Sequence, residues 1–192
     1  MRYMLFILLA LGLYSCKKQD QPTKGPDCSH TETRYISAEI SHFKFKQGTY
    51  WVFMDSVSMT IDTLKVETVS LSELRPYQYC PNNYHEYYSF EINEINPQSN
   101  SRNSYYLLDE TGLKLNPTSE NYPALYTNSM PKIDSVFIFD RYYKQVAQIN
   151  SGQAGNNTVS YINTAEGFLK KEIYSNNQLI SKKLLKSKYI IR

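Results

Sequence analysis

From Arg34 onward, hydrophobic residues recur at every second position rather than at helical spacing, a pattern that predicts strands. In Thr49-Tyr50-Trp51-Val52-Phe53-Met54-Asp55, Trp51 and Phe53 share one side, while Tyr50, Val52 and Met54 share the other. Both sides are apolar, so this segment reads as a central strand. Residues 59–71 alternate with Leu64, Val66 and Thr68 in step, while Asp62 and Glu67 mark wetter positions. In residues 84–95, Tyr88, Phe90 and Ile92 fall together against Tyr87, Ser89, Glu91 and Asn93, as in a half-buried strand.

Turn signals cut the remainder into short pieces. Residues 105–108 and 113–115 flank Asp109-Glu110-Thr111-Gly112, a glycine-containing hairpin loop, and residues 96–103 have no apolar content. Residues 135–140, 142–149 and 158–163 are further strand candidates, the last two separated by the Gly/Asn-rich 150–157. Residues 167–174, a turn at Ser175-Asn176-Asn177, and residues 179–191 complete the chain. Ser70–Arg75, the best helical candidate, is barely a turn long. The count is about nine to eleven strands, at which an antiparallel sheet curls or closes to hide its edges. The expected fold is therefore all-β, a curved antiparallel sheet forming an open or half barrel with little helix. No amphipathic helix is long enough to cover it. Either the interior fills with its own side chains or a concave apolar surface stays open, and the open surface is the expectation.

The N-terminus starts with Arg2 and an uncharged, mostly apolar stretch from Tyr3 to Tyr14. It is too short for a bilayer span, which takes ~20 helical residues, and suits a secretory signal. It closes on Leu13-Tyr14-Ser15-Cys16, which resembles the lipobox of bacterial lipoproteins and implies acylation of Cys16. Lys17 to Gly25 is polar, contains Pro22 and reads as a flexible tether. The expected organisation is a signal peptide over 1–15, a lipidated N-terminus and tether over 16–33, and one β domain over 34–192. The tether from Cys16 to Cys28 reaches at most ~40 Å. This predicts a cell-envelope protein held close to a membrane, the outer one, with its face left open.

Setting Cys16 aside leaves Cys28 and Cys80, in a compartment where disulfides persist. A bridge between them is the first reading. Zinc held by Cys28, His30, Cys80 and His85 is the alternative, opposed by the tight Cys-x-His spacing and by an oxidising environment. With a bridge, His30 and His85 are exposed polar residues beside it.

Composition agrees with a folded strand-rich domain. The 192 residues are 41% hydrophobic and 14% aromatic, with 18 Tyr and 8 Phe. A net charge of +3 lacks the basic excess of a nucleic-acid binder. The sequence contains no Gly-x-Ser-x-Gly, HExxH or EF-hand pattern, and its 7 glycines form no phosphate loop. His42, beside Phe43, reads as structural, and Asp109-Glu110 as a solvated turn. Neither catalysis nor a cofactor is expected; a glycan-acting enzyme, needing two carboxylates in one cleft, is the weakest alternative.

Two patches carry a wider resemblance. Residues 43–53 (FKFKQGTYWVF) and 165–172 (AEGFLKKE) resemble a group of Bacteroidetes-type lipoproteins with no established activity. That group often has a second Trp in the last strand, where this chain has Lys182-Lys183-Leu184-Leu185. The resemblance implies curved antiparallel sheets like the half-barrels of lipoprotein carriers. Asp55-Ser56-Val57, Asp62-Thr63-Leu64 and Asp134-Ser135-Val136 resemble the O-glycosylation acceptor motif of such envelopes, which implies glycans on Ser56, Thr63 and Ser135. Turn and strand-edge preference explains the same triplets equally well.

Two readings of the last strand remain open. Lys182, Lys186 and Lys188 lie on one face with Leu184, and Lys183, Leu185, Ser187, Tyr189 and Ile191 on the other. The lysines either contact anionic head groups or guard an edge strand against aggregation. The leading functional expectation is a non-catalytic module holding an apolar or glycan ligand on a concave Tyr-rich face, with Trp51, Phe53, Tyr88 and Phe90 as contact residues. A structural subunit docking another envelope protein is the competing class.

Overall fold

The computed structural model describes residues 28–77, 80–95, 102–115 and 124–192. The signal segment, Cys16 and most of the tether lie outside them. The described residues form one helix, α1 (Ala38–Ser41), and twelve strands. These are β1 (Thr33–Arg34), β2 (Tyr50–Asp55), β3 (Ile61–Tyr77), β4 (Cys80–Ile95), β5 (Arg102–Asp109) and β6 (Gly112–Leu115). β7 (Ala124–Tyr126), β8 (Lys132–Ile138), β9 (Arg141–Gln153), β10 (Asn156–Asn163), β11 (Gly167–Ser175) and β12 (Gln178–Tyr189) complete the sheet. Its order is β7-β6-β5-β4-β3-β2-β12-β11-β10-β9-β8, antiparallel throughout except for β1, which pairs with β4 in parallel.

The sheet is curved and not closed. Five strand steps separate β5 from β11 in this order, about 24 Å if flat, yet the rings of Tyr106 and Phe168 are 5.7 Å apart. β-Bulges between Ile173 and Tyr174 and between Leu185 and Ser187 fall in strands of this span, where a bulge increases local bend and twist. β2 sits at the centre of the order, as its pattern predicts. Only its concave side is fully buried, by Trp51 and Phe53; Val52 and Met54 are half-buried and Tyr50 is exposed, because no second layer covers the convex side.

Cover for half of the concave side comes from the segment before β2. Ser37 caps α1 through its hydroxyl. The segment delivers Ile40, Phe43 and Phe45, all fully buried. Phe45 meets Trp51 at 4.8 Å and Phe90 at 5.8 Å, and Phe43 meets Tyr126 at 4.8 Å. A short aromatic plug thus does what a long amphipathic helix does elsewhere.

Several expectations need correction. β1 and β7 have too few residues to show alternation, so the strands number twelve among the described residues. Ser70–Arg75 belongs to β3 and is not helical; pairing with β4 overrides local propensity. β12 is not an edge: it pairs with β2 and β11. The edge-guarding reading of its lysines therefore fails.

Cys28 and Cys80 form a disulfide with Cα atoms 5.3 Å apart. It fastens the N-terminal lead to the start of β4, beside the β1–β4 pairing. A loop of this length stabilises by about 4 kcal/mol in the chain-entropy model. Urea titration with and without reductant should show a loss approaching that value. An unchanged midpoint with both thiols alkylated would mean that β1 stays docked without the bridge.

Candidate functional site

The concave half that the plug leaves open holds a cavity of about 230 Å³. Phe53, Leu64, Ile92, Leu115, Ile162 and Phe168 form its apolar wall. Asp62, Glu94, Lys171 and Lys183 form a charged wall, with hydroxyls from Ser104, Ser151, Thr158 and Ser160 between the two. The lining residues on β3 and β4 lie at the ends of those strands remote from the disulfide; residues 80–92 of a strand span at most about 40 Å.

Strand register assembles the charged wall. Phe53 pairs with Asp62 across β2 and β3, Leu185 pairs with Phe53, and Lys171 of β11 stands directly opposite Lys183 of β12. Counting back from the Ser175–Gln178 pair would oppose Lys171 to Lys182, but the bulge between Ile173 and Tyr174 shifts the register by one. Lys183 Nζ lies 2.8 Å from Asp62 Oδ2 and 2.5 Å from Glu94 Oε1. Burial works against the Lys183 ammonium, yet the two carboxylates outweigh it and lift its pKa above the ordinary lysine value. Burial likewise works against ionised Glu94, but Lys183, helped by Lys171 and Arg102, holds its pKa below the usual carboxylate value.

Lys171 is held differently. Burial is the largest influence on it and pulls its pKa below the lysine value, against the attraction of Glu94. Among the described residues no carboxylate lies within ion-pair distance of its Nζ. Neighbouring Lys170 also borders the cavity but is committed to Glu172 at 2.7 Å and lies over the Tyr161 ring at 4.3 Å. Asp62 is 1% exposed; beyond the Lys183 contact on Oδ2, its Oδ1 has no hydrogen-bond partner. Burial pushes the Tyr106 phenol up, so it stays neutral where it lines the cavity.

The four expected contact residues divide. Phe53 lines the cavity. Trp51, Tyr88 and Phe90 are buried in the aromatic core beside it. Trp51 Nε1 donates to the Glu166 carbonyl at 2.8 Å, and the Tyr88 hydroxyl donates to the Phe45 carbonyl at 2.7 Å. Burial pushes the Tyr88 phenol to about 12. Cys16 lies outside the described residues.

The triplet hydroxyls stand in unlike settings. Ser56 and Ser135 are exposed and Thr63 is half-buried within β3. Asp55, before Ser56, accepts from the Val57, Ser58 and Lys182 amides and from the Ser181 hydroxyl, so it organises the β2–β3 turn. Asp62 serves the cavity and Asp134 is exposed.

His30 is exposed as expected, but His85 is not: it is 5% exposed, with Nδ1 3.1 Å from Glu110 Oε1. Asp109 is also buried, accepting from Thr111 and Gly112 and paired with Lys114. The hairpin loop forms as predicted, but its acids are structural rather than solvated, because β4 and β6 flank β5 on both sides.

Sequence reading missed Lys171 altogether and took Asp62 for a wet position. The only available signal was lysine at odds with the alternation on both arms of the last hairpin. No known protein family, characterised protein or solved structure matches the chain.

Proposed function

We propose that this chain is an envelope lipoprotein, anchored through Cys16 and directed to the outer membrane, that works as a non-catalytic binding module. Its ligand occupies the concave cavity. The observation that carries this reading is the combination of an apolar wall with a buried, incompletely satisfied polar wall in one cavity. Folded interiors satisfy almost all buried polar groups, so a polar lining left short of hydrogen bonds favours an occupant. The cavity is below the ~300–1,000 Å³ of typical drug-sized sites, which suits a short or single-chain ligand better than a branched glycan.

The full chain purified from its native host, extracted with organic solvent and analysed by mass spectrometry, should yield a co-purifying amphiphile in near-stoichiometric amount. A Cys16→Ala chain should accumulate as unprocessed precursor. An extract empty of any amphiphile, with no thermal stabilisation by an amphiphile panel, would remove this reading.

A second reading has one observation in its favour. β8 ends the sheet and exposes Ile133 and Phe137, with Tyr142 of β9 exposed beside Phe137. Such an edge is a template for strand addition. On that reading the protein docks a neighbouring envelope protein through β8.

A further inference from the structure

We infer that the ligand is a single-chain amphiphile with an oxyanion head, held by the Lys171 ammonium while its chain lies against Phe53, Ile92, Leu115, Ile162 and Phe168. This rests on the binding-module reading and narrows it to one ligand class. Directly opposed like charges on neighbouring strands destabilise a sheet, and Lys171 faces Lys183 in this way. The two carboxylates that line the cavity are both within ion-pair distance of Lys183. With them so engaged, Lys171 brings its charge to the cavity without a direct ion pair among the described residues. An oxyanion placed at Lys171 supplies the missing partner through a charge-assisted hydrogen bond.

Asp62 is the second, independent observation. Its carboxylate lines the cavity and is 1% exposed; Oδ2 is met by Lys183 Nζ at 2.8 Å, and Oδ1 has no hydrogen-bond partner. The wall thus offers both an unmet donor and an unmet acceptor. A head with an oxyanion and an adjacent hydroxyl answers both, whereas a purely apolar chain leaves both unmet.

The chain contains a single tryptophan, and the Trp51 ring lies 5.2 Å from that of the cavity-lining Phe168, so Trp51 emission reports occupancy. The full lipidated chain, reconstituted in phosphatidylcholine vesicles, is titrated with decanoate, 3-hydroxydecanoate, decyl phosphate and decanol. Wild type should bind the acids or the phosphate at least tenfold more tightly than decanol, with the carboxylate and phosphate arms identifying the head group. Lys171→Met should weaken oxyanion binding at least tenfold and leave decanol within twofold, and Lys171→Arg should stay within threefold of wild type. Comparing variants in identical vesicles cancels membrane partitioning. Equal affinity for decanol and decanoate, or oxyanion binding unchanged by Lys171→Met, would overturn the assignment of Lys171 while leaving the binding module intact. Absence of binding by all four probes would overturn both. If Lys171→Met does not fold, the wild-type comparison and Lys171→Arg still decide.

Discussion

Replacing Lys183 with methionine should lower the stability of the domain by about 3–5 kcal/mol, the usual loss when one partner of a buried ion pair is removed. Asp62 is the reason: at 1% exposed it has Lys183 as its ion-pair partner, and the substitution would strand its charge in the cavity wall. Leucine at position 62 in the same background should recover much of the loss, since the buried charge then goes too. The pH dependence has a definite sign. Glu94 has a depressed pKa, so its contribution is complete above the ordinary carboxylate pKa of about 4.3 and fades as pH falls through the folded value. Lys183 has a raised pKa, so its contribution is complete below about 10.4 and fades as pH rises through the folded value. Urea titrations across pH should show a plateau between those limits, and Lys183→Met should remove the alkaline fall attributable to this group. A loss below about 1 kcal/mol at neutral pH would show that Asp62 finds another partner, contrary to the ion-pair argument.

Trp51→Ala should cost a further large amount, about 3–5 kcal/mol. The indole is fully buried, meets Phe45 at 4.8 Å and Phe168 at 5.2 Å, and donates to the Glu166 carbonyl. Trp51→Phe keeps most of the packing but leaves that carbonyl short of a donor, for a smaller loss of about 1–3 kcal/mol. Gly167 provides an independent check on the same contact. With φ +75°, it would place a Cβ 2.9 Å from Phe45 and 3.0 Å from Trp51, so Gly167→Ala suffers both backbone strain and a clash between rings that cannot move apart. Equilibrium unfolding of the three variants should rank Trp51→Ala as most damaging. If Trp51→Ala were nearly neutral for stability yet abolished ligand uptake, Trp51 would be a contact residue after all.

Period-two alternation in residues 49–55 and 84–95 was enough to place β2 and β4, because a strand that buries one face writes that face into its sequence. Charge misleads where alternation does not. Asp62 lies in phase with Leu64 and Val66, so alternation alone puts it on their face, and only its charge makes it read as a wetter position. Only the inward bend of the sheet, which brings Lys183 of β12 within reach, turns it into a buried acid. His85 and Asp109 were misread for the same reason, since their partners come from other hairpins or from the turn geometry itself.

All-β class, the last hairpin and the availability of Cys28 and Cys80 for a bridge are local or compositional properties, legible without coordinates because each depends on neighbours in the chain or on counting. The placement of β12 between β2 and β11, the aromatic plug of Phe43 and Phe45, and the pairing of Lys171 against Lys183 belong to the tertiary structure. Contacts such as Trp51 with Glu166, far apart in sequence, have no short-range signal to announce them. A one-residue bulge exchanges which lysine of β12 stands opposite Lys171, because a register shift of one reverses every side chain beyond it.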